Sequence, residues 1–422
     1  MVQSIRGMRD VLPEEGRRWR VVEDAIRAVL TTHAYEEVHL PLLEATELFS
    51  RGVGEATDIV EKEMYTLADR DGDSISLRPE GTAVCARALL QHGLLHNQTQ
   101  RVFYAGPMFR YERPQKGRYR QFYQIGAEAF GLAGPDVDAE LILMCQLMWK
   151  ALGISGETRL EINTLGSGAA RAAYRAALVG FLTPLAAGLD ADSQRRLGSN
   201  PLRILDSKVE QTQDLLAGAP SLEDFIDDEG KAHFSGLCEL LEQLDVPFEI
   251  NPKLVRGLDY YTHTVFEWKT DALGAQDTIC AGGRYDGLVE LLGGRPTPGA
   301  GFALGVERVL LLHEQRFQGA GFAAAADVYC CVLDDRRQSE VFAIAQKLRD
   351  ALPGLRIRTH AGGGKLKSQM RRADASGARL AVLVGEDEIA KGVVSLKYLR
   401  ESREQESVPA ADLETVLAEY FA

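Results

Sequence analysis

The sequence predicts a mixed α/β protein of two domains, and three observations carry that expectation. The chain is 422 residues long with 45% hydrophobic content, more than one core usually holds. After residue 327, strand-like and helix-like segments alternate. Between that tail and the rest lies GAGFAAAAD (319–327), small and uncharged until its final aspartate, which reads as a linker. The net charge of −13 and pI near 5.2 argue against a uniformly polyanion-binding surface, so any such site must be a local concentration of Arg and Lys. Six cysteines without a C-x-x-C pair suggest reduced thiols in a cytoplasm. The start, MVQSIRGMRD, has no apolar core of a signal peptide, and no apolar run is long enough to span a bilayer.

In chain order, Pro13 followed by EEGRRWRVVEDAIRAVLTTHA reads as a first amphipathic helix with Trp19, Val22, Ile26, Val29 and Leu30 on one stripe. A short strand follows, stopped by Pro41. RVFYAGPMFRYER (101–113) and QFYQIGAEAFG (121–131) read as a long β-hairpin joined by the polar loop PQKGRYR. Residues 136–153 form a helix with acids in its first turn and glycine at its end. From about 168 to 245 the chain is helical and Ala/Leu-rich, an insertion before the strands around 254–285. PTPGAGFALGVERVLLLHEQ passes from a Gly-rich strand into a helix. The tail reads strand, helix, strand, helix, strand, strand, helix: a small α/β domain with a mixed sheet.

Charge is the next clue. The tail from 327 carries 15 Lys/Arg and 15 Asp/Glu, so the whole net charge lies in residues 1–326. Within it, Arg356, Arg358, Lys365, Lys367, Arg371 and Arg372 occur with no acid between them, a candidate phosphate-contacting strip that taken alone reads more simply as a solvated helix face. AGGGKLKS fails the phosphate-loop pattern at Thr359 and Leu366. In the hairpin, Arg110, Arg113, Lys116, Arg118 and Arg120 face Glu112 alone, a concentration that suggests a bound anion. Phe122, Gln124, Gly126 and Glu128 follow at period two and project from one face: Phe122 to stack, Gln124 to bind a polar group, Gly126 to leave room for the ligand, Glu128 deeper. The plainer alternative is a solvated hairpin with a structural Phe. His92 and His96, spaced i,i+4, lack a third ligand at zinc spacing.

Several of these segments carry a family resemblance. PMFRYERPQKGRYRQFYQIGAE resembles motif 2 of class II aminoacyl-tRNA synthetases, and GFALGVERVLLL resembles motif 3, with Arg308 as its arginine and Ala303 where many members have glycine. LVRGLDYYTHTVFE (254–267) and AGGRYDGL (281–288) look like the two peptides peculiar to the histidyl-tRNA synthetase family. RGMRDVLPEE, SLRPEGTA and LDSK are similar to that family too. The resemblance covers almost the entire chain in order.

It implies a class II catalytic domain over 1–325, with a mainly antiparallel sheet flanked by helices and the helical insertion, and an α/β anticodon-binding domain over 327–422. It implies a cytoplasmic aminoacyl-tRNA ligase that activates L-histidine with ATP and passes it to the 3′ end of tRNA(His). Mg2+ would accompany the nucleotide, with no tightly bound protein-ligated metal, and a segment near Pro41 resembling motif 1 would form a homodimer. Arg110 and Arg256 are the implied catalytic pair at the α-phosphate. Around ATP the resemblance places Glu112, Arg118, Phe122 and Arg308 with them, adenine lying between Phe122 and Arg308.

Histidine would meet Glu80, Thr82 and Gln124 at its α-amino group, and Arg110 and Arg256 at its reacting end. A ring with one N–H and one bare nitrogen needs a carboxylate facing a hydroxyl; Glu128 and Tyr261 are the natural pair, with Tyr260 and Tyr285 beside them. His263 is expected as a wall residue of this pocket. Arg113, Gln115 and Lys116 fall to the tRNA acceptor end, where the family inspects an extra 5′ guanosine, and the Arg356–Arg372 strip to the anticodon arm. The alternative is the synthetase-like regulatory subunit of ATP phosphoribosyltransferase, a histidine sensor. The full set Arg110, Arg256 and Arg308, the intact hairpin loop and the basic tail count against it.

Overall fold

The computed structural model describes residues 2–54, 57–205, 207–255, 258–317 and 324–422. The chain divides into two compact units, Met1–Val11 with Val22–Gly319 and Leu12–Val21 with Ala320–Ala422.

Helix α1 (Pro13–Thr32) starts on proline, whose fixed φ and missing N–H suit a first helical position. Val22, Ile26 and Leu30 are buried as the stripe predicts, but Trp19 and Val29 are only half covered. Glu23 is buried instead, its carboxylate held by Arg27 at 3.0 Å. After β1 (Glu36–Glu37), the strands β2 (Leu43–Ala45), β3 (Tyr65–Ala68) and β4 (Ser74–Leu77) form a small sheet in the order β2-β4-β3, with α2 (Thr46–Phe49) between the first two in sequence. Three or four residues show too little alternation to be read from sequence, and this sheet was not expected.

Helix α3 (Thr82–Gln91) leads into the hairpin of β5 (Gln100–Phe109) and β6 (Gln121–Phe130), paired antiparallel from Gln100↔Phe130 to Phe109↔Gln121. Next come α4 (Pro135–Ala151) and β7 (Arg159–Thr164). The insertion is helical as expected: α5 (Gly168–Leu182), α6 (Ala191–Ser199), α7 (Glu210–Leu216) and α8 (Asp228–Gln243). Ser167, Asp190 and Asp227 cap three of these by accepting backbone N–H groups of the first turn. The chain returns through β8 (Glu249–Ile250), β9 (Thr262–Lys269), β10 (Thr278–Arg284), α9 (Leu288–Leu291), β11 (Gly299–Gly305) and α10 (Val306–Phe317). The eight-stranded sheet runs β1-β5-β6-β11-β10-β9-β7-β8. Only its edge pairs β1–β5 and β7–β8 are parallel.

The second unit holds β12 (Val328–Val332), α11 (Gln338–Ala351), β13 (Ile357–Thr359), α12 (Leu366–Ala375), β14 (Leu380–Val384), α13 (Glu386–Lys391), β15 (Val393–Tyr398), β16 (Glu406–Pro409) and α14 (Leu413–Phe421). Its sheet, β13-β12-β14-β15-β16, is parallel in its first two pairings and antiparallel in its last two, the mixed sheet expected. Valines and leucines of α11 and α14 pack on Val328, Cys330 and Val332, while Met370 and Ala373 of α12 pack with Tyr329 and Cys331. All six cysteines are free.

Candidate active site

Small residues make the cavity. Directly paired residues of an antiparallel sheet share a face, so the register puts Tyr104, Gly126, Ala303, Ala281 and Glu267 in one row and Val102, Glu128, Gly301, Gly283 and Val265 in the next. Ala303, Ala281 and Gly301 of these rows form the floor of a cavity of about 270 Å³ above the sheet. Its walls come from Glu80 and Thr82 at the start of α3, the hairpin arm from Arg110 to Tyr119, residues 258–261, and Glu307 with Arg308 at the start of α10.

Glu128 lies behind one end of the cavity, bonded to Thr82 of its wall. Fully buried, its carboxylate accepts from the hydroxyls of Thr82 at 2.7 Å, Tyr104 at 3.1 Å and Tyr285. Burial pushes its pKa up to about 8, against the pull of those hydroxyl donors and with the nearby Glu80 carboxylate adding to the rise. A side chain at Gly301 would sit 2.7 Å from the Tyr285 hydroxyl and collide with the carboxylate, so this position of the Gly-rich strand must be bare. Tyr260, Tyr261 and Tyr285 cluster beside it, with ring centroids 4.8 to 6.3 Å apart.

Tyr285, Tyr104 and Thr82 hold the Glu128 carboxylate, and Tyr261 contributes a ring tilted against Tyr260 and a place in the cavity wall. Two expectations are corrected here. Gly126 does not leave room for a ligand: a Cβ there would lie 2.4 Å from the Tyr104 ring, which occupies that space. His263 does not line the cavity; at φ +47 its ring lies 5.6 Å from His233 of the insertion. Positive φ turns the strand locally, so the alternation that would aim His263 inward does not hold.

Just before α3, Glu80 is tied down: its two oxygens accept the N–H groups of Thr82 at 2.8 Å and Ala83 at 2.9 Å, fixing the entry of the helix. Burial raises its pKa. Gln124 is the opposite case. Its Oε1 is buried and, among the described residues, has no hydrogen-bond partner, a deficit that a ligand donor would relieve.

At the other end, Arg110 is held by the Pro79 carbonyl at 2.8 Å with its guanidinium 5.3 Å from the Phe122 ring centroid. Arg308 donates to the carbonyls of Gly117 at 3.1 Å and Thr278 at 2.6 Å, and burial lowers its pKa. Arg110 thus lies over one face of Phe122. Glu112 and Arg118 form an ion pair that raises the arginine's pKa. Arg256 lies outside the described residues, as does Asp206 of LDSK.

The hairpin tip closes on itself. Gln115 and Arg118 exchange backbone hydrogen bonds of 3.0 and 2.9 Å around Gly117 at φ +75, which leaves Arg113, Gln115 and Lys116 exposed. Gly7 accepts the Arg120 N–H at 2.8 Å, so the amino-terminal RGMRD segment lies along this arm.

The tail's strip is less uniform than its sequence. Asp327, 29 positions before Arg356, forms a bidentate pair with it at 2.7 and 2.9 Å, correcting the acid-free reading. Arg372 donates to the Ala361 carbonyl at 3.4 Å. Arg358, Lys365, Lys367 and Arg371 are exposed and have no side-chain partner among the described residues.

Sequence reading missed Tyr104, Glu267, Thr278 and Glu307 in this site. Tyr104 had a signal: the hairpin's register sets it opposite Gly126, a large ring against a bare position. Glu307 accepts the Tyr123 N–H on both oxygens at 3.0 Å, a contact 184 residues apart that no local pattern announces.

The chain matches known proteins over nearly its whole length. A family model described as histidyl-tRNA synthetase matches residues 7–309, and one described as anticodon binding domain matches 327–420. The chain is similar to the solved structure of apo S. aureus histidyl-tRNA synthetase, with 34% identity, 99% of each chain covered and a TM-score of 0.80. A histidyl-tRNA synthetase from a Nostoc species shares the fold at 23% identity, TM-score 0.74, over 100% of both chains. So does a Bacillus halodurans protein described as an ATP phosphoribosyltransferase regulatory subunit/histidyl-tRNA synthetase, at 23% identity and TM-score 0.64, over 91% of this chain and 98% of that one.

Proposed function

The chain belongs to the histidyl-tRNA synthetase family, and from that premise we propose which of its residues carry the two half-reactions. Such an enzyme charges tRNA with histidine. The histidine carboxylate attacks the α-phosphorus of ATP and the bond to pyrophosphate breaks; a hydroxyl at the tRNA 3′ end then attacks the adenylate carbonyl and releases AMP. Attack brings two anions together, so the first step depends on cations that meet the growing equatorial charge. Arg110 does this from the hairpin, Arg256 by family resemblance from the other side, and Arg308 holds the γ-phosphate. Phe122 offers its face to adenine, with Glu112 and Arg118 at the nucleotide's edge.

Phe122 and Glu128 are six residues apart on one face of β6, roughly 20 Å at strand rise. Nucleotide and amino acid therefore meet in the middle, near Gln124. Its unsatisfied Oε1 suits the α-ammonium, with Glu80 and Thr82 beside it. Glu128 reads the ring. With a pKa near 8 it carries a proton at neutral pH, whereas a free imidazole, near 6.5, is bare. One proton shared between them gives the ring a donor and an acceptor match in either position. A leucine or phenylalanine side chain would leave this buried cluster unmatched, and polar mismatch of that kind discriminates by on the order of 10⁴.

The carboxylates at the nucleotide end are already engaged, Glu112 by Arg118 and Glu267 by Lys269. They form no ready ligand set, and Mg2+ enters with ATP as part of the substrate. Arg113, Gln115 and Lys116 would hold the acceptor end of tRNA(His), and the tail's cations its anticodon arm. The anticodon-binding match over 327–420 favours a tRNA ligase over a histidine sensor. Leu42 and Leu43, 43% and 45% exposed beside Pro41, support a homodimer through that segment. Free thiols throughout suit a reducing cytoplasm.

The observation that carries this reading is the one continuous cavity walled by Glu80, Thr82, Gln124, Tyr260 and Tyr261 at one side, with Glu128 bonded behind Thr82, and by Arg110 and Arg308 at the other. ATP–pyrophosphate exchange tests it: exchange should require histidine, with leucine and phenylalanine inactive at the same concentration. Exchange driven equally by another amino acid would refute it.

A further inference from the structure

We propose that Arg171, on the first helix of the insertion, is a positioning residue for histidine recognition, because it clasps the Asp259–Tyr261 peptide whose two tyrosines wall the ring pocket. The proposal rests on the histidine-binding reading of the cavity. Arg171 Nη1 donates to the backbone carbonyls of Asp259 at 2.5 Å and Tyr261 at 3.0 Å, and Nη2 reaches Asp259 Oδ1 at 3.4 Å. Asn200, also in the insertion, donates to the same Oδ1 at 2.9 Å. From the opposite side the Asp259 N–H donates to the Val53 carbonyl at 3.1 Å. The Asp259 carboxylate lies where a Cβ on Gly54 would be 2.7 Å from Oδ2, so Gly54, at φ +104, permits the approach. The peptide is suspended between core and insertion.

From there the contacts run to the ring reader. Tyr260 lies tilted against Tyr261 at 4.8 Å and meets Tyr285 edge-on at 5.5 Å, and Tyr285 donates to Glu128. Tyr260 lines both the active cavity and a second groove of about 490 Å³ behind it, bordered by Arg171, Arg175, Asn200 and Asp259. The Tyr260 ring itself is buried, and the guanidinium fixes the backbone on either side of it along the groove. Only arginine offers a planar fork of five N–H donors that can serve two carbonyls and a carboxylate together. Lysine can keep one or two of these contacts. The insertion thereby shapes the amino-acid pocket without touching the substrate.

The test is histidine-dependent ATP–pyrophosphate exchange, with KM for histidine and for ATP and a thermal melt, on the parent enzyme, Arg171→Ala, Arg171→Lys and Asn200→Ala. The expected result is a rise in KM for histidine of roughly tenfold or more in Arg171→Ala, partial rescue in Arg171→Lys and a few-fold rise in Asn200→Ala, while KM for ATP stays within about twofold. Two results would overturn it: a KM for histidine unchanged in Arg171→Ala, or KM values for histidine and ATP that rise together as the melting temperature falls, which is the mark of a mere structural pin. If Arg171→Ala does not fold, Arg171→Lys and Asn200→Ala decide by the same split. A parent enzyme with no histidine-dependent exchange is a separate failure, which removes the reading of the cavity and this proposal with it.

Discussion

The cavity and the tail's basic strip keep polar groups unmatched in opposite ways. Gln124 Oε1 is buried with no partner among the described residues, next to a Glu128 carboxyl that three hydroxyls hold in one geometry, so only a ligand with the complementary donor restores what burial removed at Gln124. Arg358, Lys365, Lys367 and Arg371 are exposed and hydrated, and any run of phosphates at suitable spacing neutralises them. Burial makes polarity selective, and exposure makes it general. An acidic protein that handles both a small amino acid and a long polyanion needs each kind, in separate places.

Substitutions should therefore separate along the same line. Arg110→Ala should show the largest effect, a fall in the exchange rate of roughly 10²-fold or more with histidine binding retained, because its cation serves charge that grows only in the transition state. Stopped-flow or steady-state exchange reads this, and an equal loss in histidine affinity would make Arg110 a substrate clamp.

Glu128→Gln should follow, with a large rise in KM for histidine and a change in the pH dependence of stability. The folded-state pKa of about 8 lies above the ordinary 4.5, so the folded chain binds the extra proton. Its contribution to stability is full below about pH 4.5 and is lost as pH rises toward 8, with a slope of up to ~1.4 kcal/mol per pH unit in the ligand-free protein. Denaturant titrations from pH 4.5 to 8 should find a flatter profile in the variant; identical profiles would place the titration elsewhere.

Arg371→Glu should weaken tRNA binding several-fold and reduce the slope of log affinity against log salt by roughly one unit or more. Filter binding at four salt concentrations checks this. Gln115→Ala should have the smallest effect, a narrowed preference for tRNA carrying the 5′ guanosine, since an exposed amide at the hairpin tip can read a base edge. Aminoacylation of both tRNAs measures the ratio.

Much of this was legible in the sequence where chemistry and periodicity coincide. The hairpin, its period-two face and the Gly-rich strand leading into α10 stand where expected, because long strands and Gly-to-helix transitions are local signals. What escaped is set by long-range register. Tyr104 across Gly126, Asp327 beside Arg356 and Glu307 under the Tyr123 N–H each join distant positions. His263 was misplaced because it was judged by the peptide it belongs to, and at a positive φ its ring lies beside His233 instead. Short strands such as β2 to β4 carry too few residues to declare a period.

The division of labour between buried and exposed polarity is tested most directly by one exchange experiment on three proteins: the parent, Glu128→Gln and Arg371→Glu, each with histidine varied and tRNA absent. Arg371→Glu should match the parent within about twofold in kcat/KM for histidine, and Glu128→Gln should fall by on the order of 10²-fold or more. A Glu128→Gln enzyme that activates histidine as well as the parent, or an Arg371→Glu enzyme crippled without any tRNA present, would contradict it.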